Sequence, residues 1–325
     1  MQSSSSTTAA SAVANNSSSS SSSSSLIDGV AILDALQLAS HEHLGDVQRS
    51  ECPQCKQKRK YFCYSCGIAL GDARLTPRVQ LPVRLHIVYH ASECDGKATS
   101  THARVLCGDD QVTHSTYPDV PAFDAASDVV LFPSDDAVLL DELSDAAFAT
   151  IRRVVVLDCQ WHVVKKLEKH ASIAALRRVR IRSYSTTFWR YQQVGPECLA
   201  TIEAIYYFYR EHGTRALAGK YDGRYDNLLY FYKFFYELIQ HNYKTQNKQF
   251  TKRHVADYVR HDRPVAIDVV RKIPIMHNGK PIAADAAAAA AAAAITTTAA
   301  ESASEQADPA EHEQADHADK RARTE

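Results

Sequence analysis

Arg153-Val154-Val155-Val156-Leu157-Asp158-Cys159-Gln160-Trp161-His162 is the stretch on which the fold turns. Three valines and a leucine in succession suit a strand buried on both faces. The run stops at Asp158, and a helical spacing begins. Trp161, Val164, Lys165 and Glu168 recur with that period, and Val163, Val164 and Leu167 are the apolar members. The unit reads strand, tight turn, helix. Asp158 stands at the carboxyl end of the strand and Trp161 in the first turn of the helix. Ligands of open α/β sheets bind just outside the carboxyl ends of strands. A carboxylate there is hydrated or paired, because an isolated buried charge is costly. The alternative for Asp158 is a plain helix cap.

Working outward, Val83, Leu85, Ile87 and Tyr89 alternate with Arg84, His86 and Val88, which predicts a strand. A polar loop from His90 to Thr99 leads into a short helix near Ser100 to Leu106, stopped by Gly108. Val129 to Phe132 predicts another strand, and Ser134-Asp135-Asp136 caps a helix-like stretch through Leu143. Beyond Trp161 the chain turns basic, with Lys165, Lys166, Lys169, Arg177, Arg178, Arg180, Arg182 and Arg190 against the single acid Glu168. Val179, Ile181 and Tyr184 suggest a strand within it, and Phe188-Trp189 sits among the bases. Arginine with exposed aromatics is what phosphate contact and base stacking require; a solvated rim is the alternative.

A helix is predicted from Glu197 to His212, ended by Gly213, with Leu199, Ile202, Ile205, Tyr206 and Tyr209 as its buried stripe. Near its start, Thr201 and the helix amides can hold a ligand. A last helix, Asp226 to Tyr243, carries an aromatic stripe read as core. The alternation of strands and helices predicts an α/β sheet. No Walker-type phosphate loop, GxGxxG turn or HExxH motif occurs, which disfavours the usual nucleotide hydrolases and dehydrogenases.

Upstream, Cys52-Pro53-Gln54-Cys55 and Cys63-Tyr64-Ser65-Cys66 form two CxxC pairs. Four thiolates in a short hairpin suit a tetrahedral zinc. Between them, Lys56, Lys58, Arg59 and Lys60 are placed to meet phosphate. The organisation expected is a disordered Ser-rich tail (1–25), a lead-in helix (26–49), a zinc knuckle (50–72), the α/β domain (73–282) and a disordered Ala-rich and acidic tail (283–325). The last segment holds nine acids and three bases, so a chain of formal charge -1 has a body near +5, compatible with a polyanionic partner. Eight cysteines without a secretory signal point to a reducing compartment. No apolar run is long enough to predict a membrane span.

Several segments together resemble the DTW-domain proteins, the tRNA-uridine aminocarboxypropyltransferases, most closely their eukaryotic type 1 branch. These are the cysteine knuckle, HASECDGKATSTHARVL from His90, LDCQW from Leu157, FWRYQ from Phe188, CLATIEAIYYFY from Cys198 and YDGRYDNLLYFY from Tyr221. Gln160 stands where the family's DxTW signature has threonine, Ala91 where it has proline, and Ala200 where STIEA has serine.

The resemblance implies a SPOUT-like α/β domain with S-adenosylmethionine as donor. It implies transfer of the 3-amino-3-carboxypropyl group to N3 of a uridine in tRNA, in the D-loop, with methylthioadenosine leaving. Asp158 is the candidate for taking or orienting the N3 proton. Trp161 is placed to stack on the uracil or the adenine. Glu93 or Glu203 would hold the donor ammonium, and Lys97, Arg190 or the amides near Thr201 its carboxylate; Thr99 belongs to the same loop. Arg177, Arg178 and Arg180 join the lysine-rich knuckle as the expected RNA contacts. Two other classes remain open: an RNA methyltransferase with the same donor, and a non-catalytic zinc-containing RNA-binding protein. Lys320-Arg321-Ala322-Arg323 suggests a nuclear rather than a cytoplasmic address.

Overall fold

A computed structural model of the chain describes residues 25–91, 96–161, 163–190, 195–246 and 258–274, with the short pairs 276–277 and 280–281. The two expected tails, Glu93 and the basic cluster at 320–323 fall outside the described residues, apart from the edge position Ser25. The central sheet has six strands: β1 (Arg84–His90), β2 (Val112–Tyr117), β3 (Asp128–Leu131), β4 (Val138–Leu139), β5 (Arg153–Asp158) and β6 (Arg177–Arg180). All pair in parallel, in the spatial order β2-β1-β5-β3-β6-β4. The helices are α1 (Gly29–Ala35), α2 (Thr101–Cys107), α3 (Asp145–Ala149), α4 (Val164–Leu167), α5 (Ala171–Ala174), α6 (Thr201–Ala216), α7 (Tyr230–Gln246) and α8 (Asp268–Lys272).

The valine run is β5, between β1 and β3, in register from Arg84 opposite Arg153 to Tyr89 opposite Asp158. Its side chains alternate between two cores, as a doubly covered strand must. Val154 and Val156 join Leu85, Ile87, Val129 and Leu131 in the large core that α2, α6 and α7 also fill. Val155 faces the other way with Val88 and Val130, against Leu167, Ile173 and Leu176. The chain runs outward from β1 to β2 on one side and builds β3 to β6 on the other. That reversal leaves a crevice at the carboxyl ends of the central strands, and Asp158 is at that end of β5.

Several expectations change, among them the place of Trp161, which precedes α4 (Val164–Leu167) rather than standing in its first turn. The lead-in helix over 26–49 is reduced to α1 and a single 3-10 turn at Glu42–Gly45. Beyond α1, the Gln37 and Ala39 amides donate to the side chains of Asp226 (2.8 Å) and Asn227 (2.9 Å), so tertiary acceptors replace helical ones. The stretch after Ser134 is not helical: Val138 and Leu139 pair with β6, and the helix begins at Asp145, where Ser144 accepts from the Ala147 amide. Gly213 does not end α6, which continues to Ala216. It lies against Tyr225, where a Cβ would come within 2.8 Å of the ring, so close approach explains this glycine. The edge strand β2 was not foreseen, because Thr113, His114 and Thr116 are polar and largely outside the core. Of the stripe Leu229, Tyr232, Phe235, Tyr236 and Ile239, the residues Leu229, Tyr232 and Tyr236 are core as expected, while Phe235 and Ile239 are half-buried and line a cavity.

Candidate active site

Asp158 ends β5 only 5% exposed, on the same face of the sheet as Tyr89. Its carboxylate accepts a hydrogen bond from the Ser100 hydroxyl and one of 2.7 Å from the Thr201 hydroxyl. The Ser100 hydroxyl also lies 3.2 Å from the Tyr89 phenol. Burial pushes the Asp158 carboxyl above its ordinary value, and the two hydroxyls pull partly the other way. No cation pairs with it among the described residues. The result is a carboxylate of raised basicity, oriented by hydroxyls donated from two separate segments. It does not cap the helix that follows, since α4 has no side-chain cap. Gln160 is exposed in the turn, so the donors to Asp158 come from Ser100 and Thr201 rather than from that position.

The start of α6 explains the rest of the site. Ala200 occupies the N-cap and offers no side-chain oxygen. Thr99 supplies one across the fold, accepting from the Ile202 amide at 3.3 Å. Glu203 reaches back to the Ala200 amide (2.8 Å) and also accepts from the Thr186 hydroxyl, the Thr187 amide and the Thr187 hydroxyl. It is 1% exposed, and burial raises its carboxyl. Its oxygens tie the segment after β6 to α6, so Glu203 shapes the site from behind. Thr201 is thereby held where its hydroxyl meets Asp158.

Two cavities flank this group. An apolar cleft of about 370 Å³ opens at the carboxyl ends of β3, β5 and β6, lined by Phe132, Leu157, Trp161, Ile181, Leu199 and Thr201 among others. Trp161 stands 37% exposed at this cleft, a large apolar surface left in solvent. The second cavity, about 390 Å³, lies between the cysteine hairpin, α7 and the Lys97–Thr99 loop. Lys97, Thr99 and Arg190 line it, and the Arg190 guanidinium donates to the Lys97 carbonyl at 2.7 Å. Thr99 therefore faces the second cavity while Thr201 faces the first, and Asp158 sits between.

The sulfurs of Cys52, Cys55, Cys63 and Cys66 all lie within 4.8 Å of one another, with Cys55 and Cys63 at 3.5 Å. A tetrahedral zinc with bonds of about 2.3 Å needs sulfurs about 3.8 Å apart, so the set fits such an ion. Both pairs close identically. The Lys56 amide donates to the Cys52 carbonyl and the Gly67 amide to the Cys63 carbonyl, and both residues take positive φ. The hairpin is docked on the domain by Phe62 against Phe231 and by Arg104, which donates to the Tyr64 and Ser65 carbonyls.

The expected RNA contacts divide. Lys56 and Lys58 are exposed on the hairpin; Arg59 and Lys60 stack over Tyr64 and Tyr61 and line the second cavity. Arg178 is engaged by Glu168 (3.0 Å) and Asp136 (3.5 Å), and Arg177 by the Ala147 carbonyl and the Thr150 hydroxyl. Arg180 is exposed, donates to the Ala137 carbonyl and lines the apolar cleft. Sequence reasoning missed Ser100 and Tyr89 as members of the Asp158 group. Nothing in a helix-start serine announces a partner on a strand 58 positions away.

The DTW domain signature matches residues 60–240. The tRNA-uridine aminocarboxypropyltransferase 1 of Mus musculus is 32% identical over 255 residues, covering 64% of this chain and 84% of that protein. Its namesake in Xenopus laevis is 32% identical over 263 residues, covering 67% and 90%, and that of Homo sapiens 29% over 255 residues, covering 64% and 84%. No solved structure matches.

Proposed function

Because the chain belongs to the DTW domain family, we propose that it transfers the 3-amino-3-carboxypropyl group of S-adenosylmethionine to N3 of a uridine in tRNA, with the D-loop as the target region. The observation that carries this reading is Asp158, a buried carboxylate with no cation against it among the described residues, bonded to Thr201 of the apolar cleft and to Ser100 next to Thr99 of the basic cavity. We read the parallel sheet as SPOUT-like, with the donor's adenosine in the apolar cleft beside Trp161. The cleft's size and apolar walls suit such a ligand.

N3 of the uridine attacks the methylene carbon attached to the sulfonium. The new N–C bond forms as the C–S bond breaks, the electron pair returns to sulfur, and methylthioadenosine leaves. Asp158 takes or orients the N3 proton, a role suited to a carboxylate whose basicity burial has raised. Thr201 and Ser100 fix its oxygens. Lys97 and Arg190, with Thr99 and the amides of α6, form the side on which the donor carboxylate would lie. Glu203 acts through the loop it ties down, and Glu93, outside the described residues, remains the candidate for the donor ammonium. The four cysteines would hold a structural zinc that keeps the basic hairpin against α7. The basic cluster Lys320-Arg321-Ala322-Arg323 favours a nuclear site of action.

The test is mass analysis of nucleosides from unmodified tRNA incubated with purified protein and donor. An aminocarboxypropyl increment on uridine is expected. A methyl increment would favour a methyltransferase, and no increment a non-catalytic RNA-binding protein.

A further inference from the structure

The basic cavity beside the cysteine hairpin holds more cations and aromatic faces than one donor carboxylate requires. Arg49, Arg59, Lys60, Lys97 and Arg190 line it, and among the described residues no aspartate or glutamate does. Tyr61, Phe62, Tyr64, Trp189 and Phe235 line it too. The cleft beside Trp161 is apolar, with Glu197 at its wall, and a third, smaller hollow beside Tyr89, His90 and Thr116 holds a single arginine, Arg104. Trp189 is half-buried, with its ring set against Phe188 and Tyr232 at centroid distances of 5.1 Å. Those rings brace it where it lines the cavity. Arg59 and Lys60 are likewise preset, stacked on Tyr64 at 4.1 Å and Tyr61 at 4.8 Å.

Cations that track a backbone, beside fixed aromatic faces, are what a single strand of nucleic acid needs. A duplex offers no free base faces. The floor of the cavity is Thr99, and the next residue, Ser100, hydrogen-bonds Asp158.

We propose that this cavity is the binding groove for the unpaired RNA segment that flanks the target uridine. Phosphates lie along Arg49, Arg59 and Lys60, and a neighbouring base stacks on Trp189. The RNA thus enters from the hairpin side, while the donor's adenosine occupies the apolar cleft beyond Asp158 and its carboxylate meets the Lys97–Arg190 edge. The β6 arginines stay outside the path, because Arg177 and Arg178 are engaged within the protein. The proposal rests on the transferase reading for the identity of the reaction, but RNA binding can be measured without turnover.

Three measurements on the full chain decide it. The first is affinity for unmodified tRNA and for a single-stranded oligouridine against salt, for Arg59→Glu/Lys60→Glu and for Lys165→Glu/Lys169→Glu. The second pair reverses exposed bases of the other basic stretch. The groove variant should lose at least tenfold in affinity, and its salt slope should fall by about 1 to 2 for two lost phosphate contacts. The other variant should stay within twofold. The second measurement uses Trp161→Phe, which leaves Trp189 as the sole tryptophan; oligouridine should quench its fluorescence saturably. The third is donor affinity by equilibrium dialysis, which the groove variant should leave unchanged. Normal RNA affinity in the groove variant, equal loss in both variants, or no quenching would each overturn the groove. A wild-type protein that binds RNA in this way yet transfers nothing would leave the groove standing and remove the transferase reading instead.

Discussion

Asp158 is subject to two opposed influences. Burial disfavours its charge, and hydrogen bonds from Ser100 and Thr201 favour it, with burial the larger. A carboxyl raised above its ordinary 3.8 by the fold binds protons more tightly folded than unfolded. Its contribution to stability is therefore present in full at low pH and is lost as pH rises through the folded value. Asp158→Asn removes that loss while leaving an amide that can still meet both hydroxyls. We expect Asp158→Asn to be as stable as the parent near pH 4 and more stable near pH 7, measured by urea unfolding at both. Turnover should nonetheless fall by roughly 10² to 10⁴, the usual worth of general-base assistance. Near-normal turnover would reduce Asp158 to a structural residue. In the parent, the rate should drop on acidification with a midpoint above 3.8, since the base must be ionised, and that limb should vanish in the variant.

Two elements depend on contacts made from elsewhere in the chain. The amino end of α6 has an alanine at its N-cap and borrows Thr99 instead. Thr99→Val should cost about 1 kcal/mol of stability, the usual worth of a cap. Glu203→Ala should cost more, because amides of Thr187 and Ala200 would lose their partner, at about 1–3 kcal/mol for each unsatisfied group. Glu203→Gln should restore most of it, with donor affinity little changed; a variant that folds normally and loses only donor binding would return Glu203 to ligand contact. The cysteine hairpin has few apolar residues of its own, and bound zinc contributes on the order of 10 kcal/mol to isolated fingers. Metal analysis should find about one zinc per chain, and Cys63→Ser should release it and expose the hairpin to proteolysis. Metal-free protein with an intact, protease-resistant hairpin would speak against zinc.

At the scale of the molecule, charge is unevenly distributed. The chain is -1 in total, but the segment from Ala283 is strongly acidic and the rest correspondingly basic. Binding of tRNA should weaken steeply with salt, because cations that neutralise phosphates release counterions. Removing residues 301 to 325 should leave affinity unchanged or raise it, since its negative charge opposes the approach of phosphates; a clear loss on truncation would assign the segment a direct part in binding. Filter binding at several salt concentrations, for the full chain and the truncation, checks both.

Strand β5 and its terminal aspartate were legible because a run of β-branched residues broken by one carboxylate has few other physical solutions. The cysteine pairs were legible because metal geometry dictates their spacing, and the aromatic stripe of α7 because a helix repeats every few residues. Those signals are local, and the sequence alone determined them, together with the family resemblance. Partnership across the fold was decided only by tertiary structure. Ser100 meets Asp158 because β1 and β5 are in register and Ser100, just before α2, lies against Tyr89 at the end of β1. Thr99 caps a helix 103 positions away. The arginines at 177 and 178 looked like an RNA face as a run of letters, but β6 pairs them into the sheet, where Glu168 and backbone oxygens meet them. A side chain's availability depends on what packs beside it, and linear order carries no record of that.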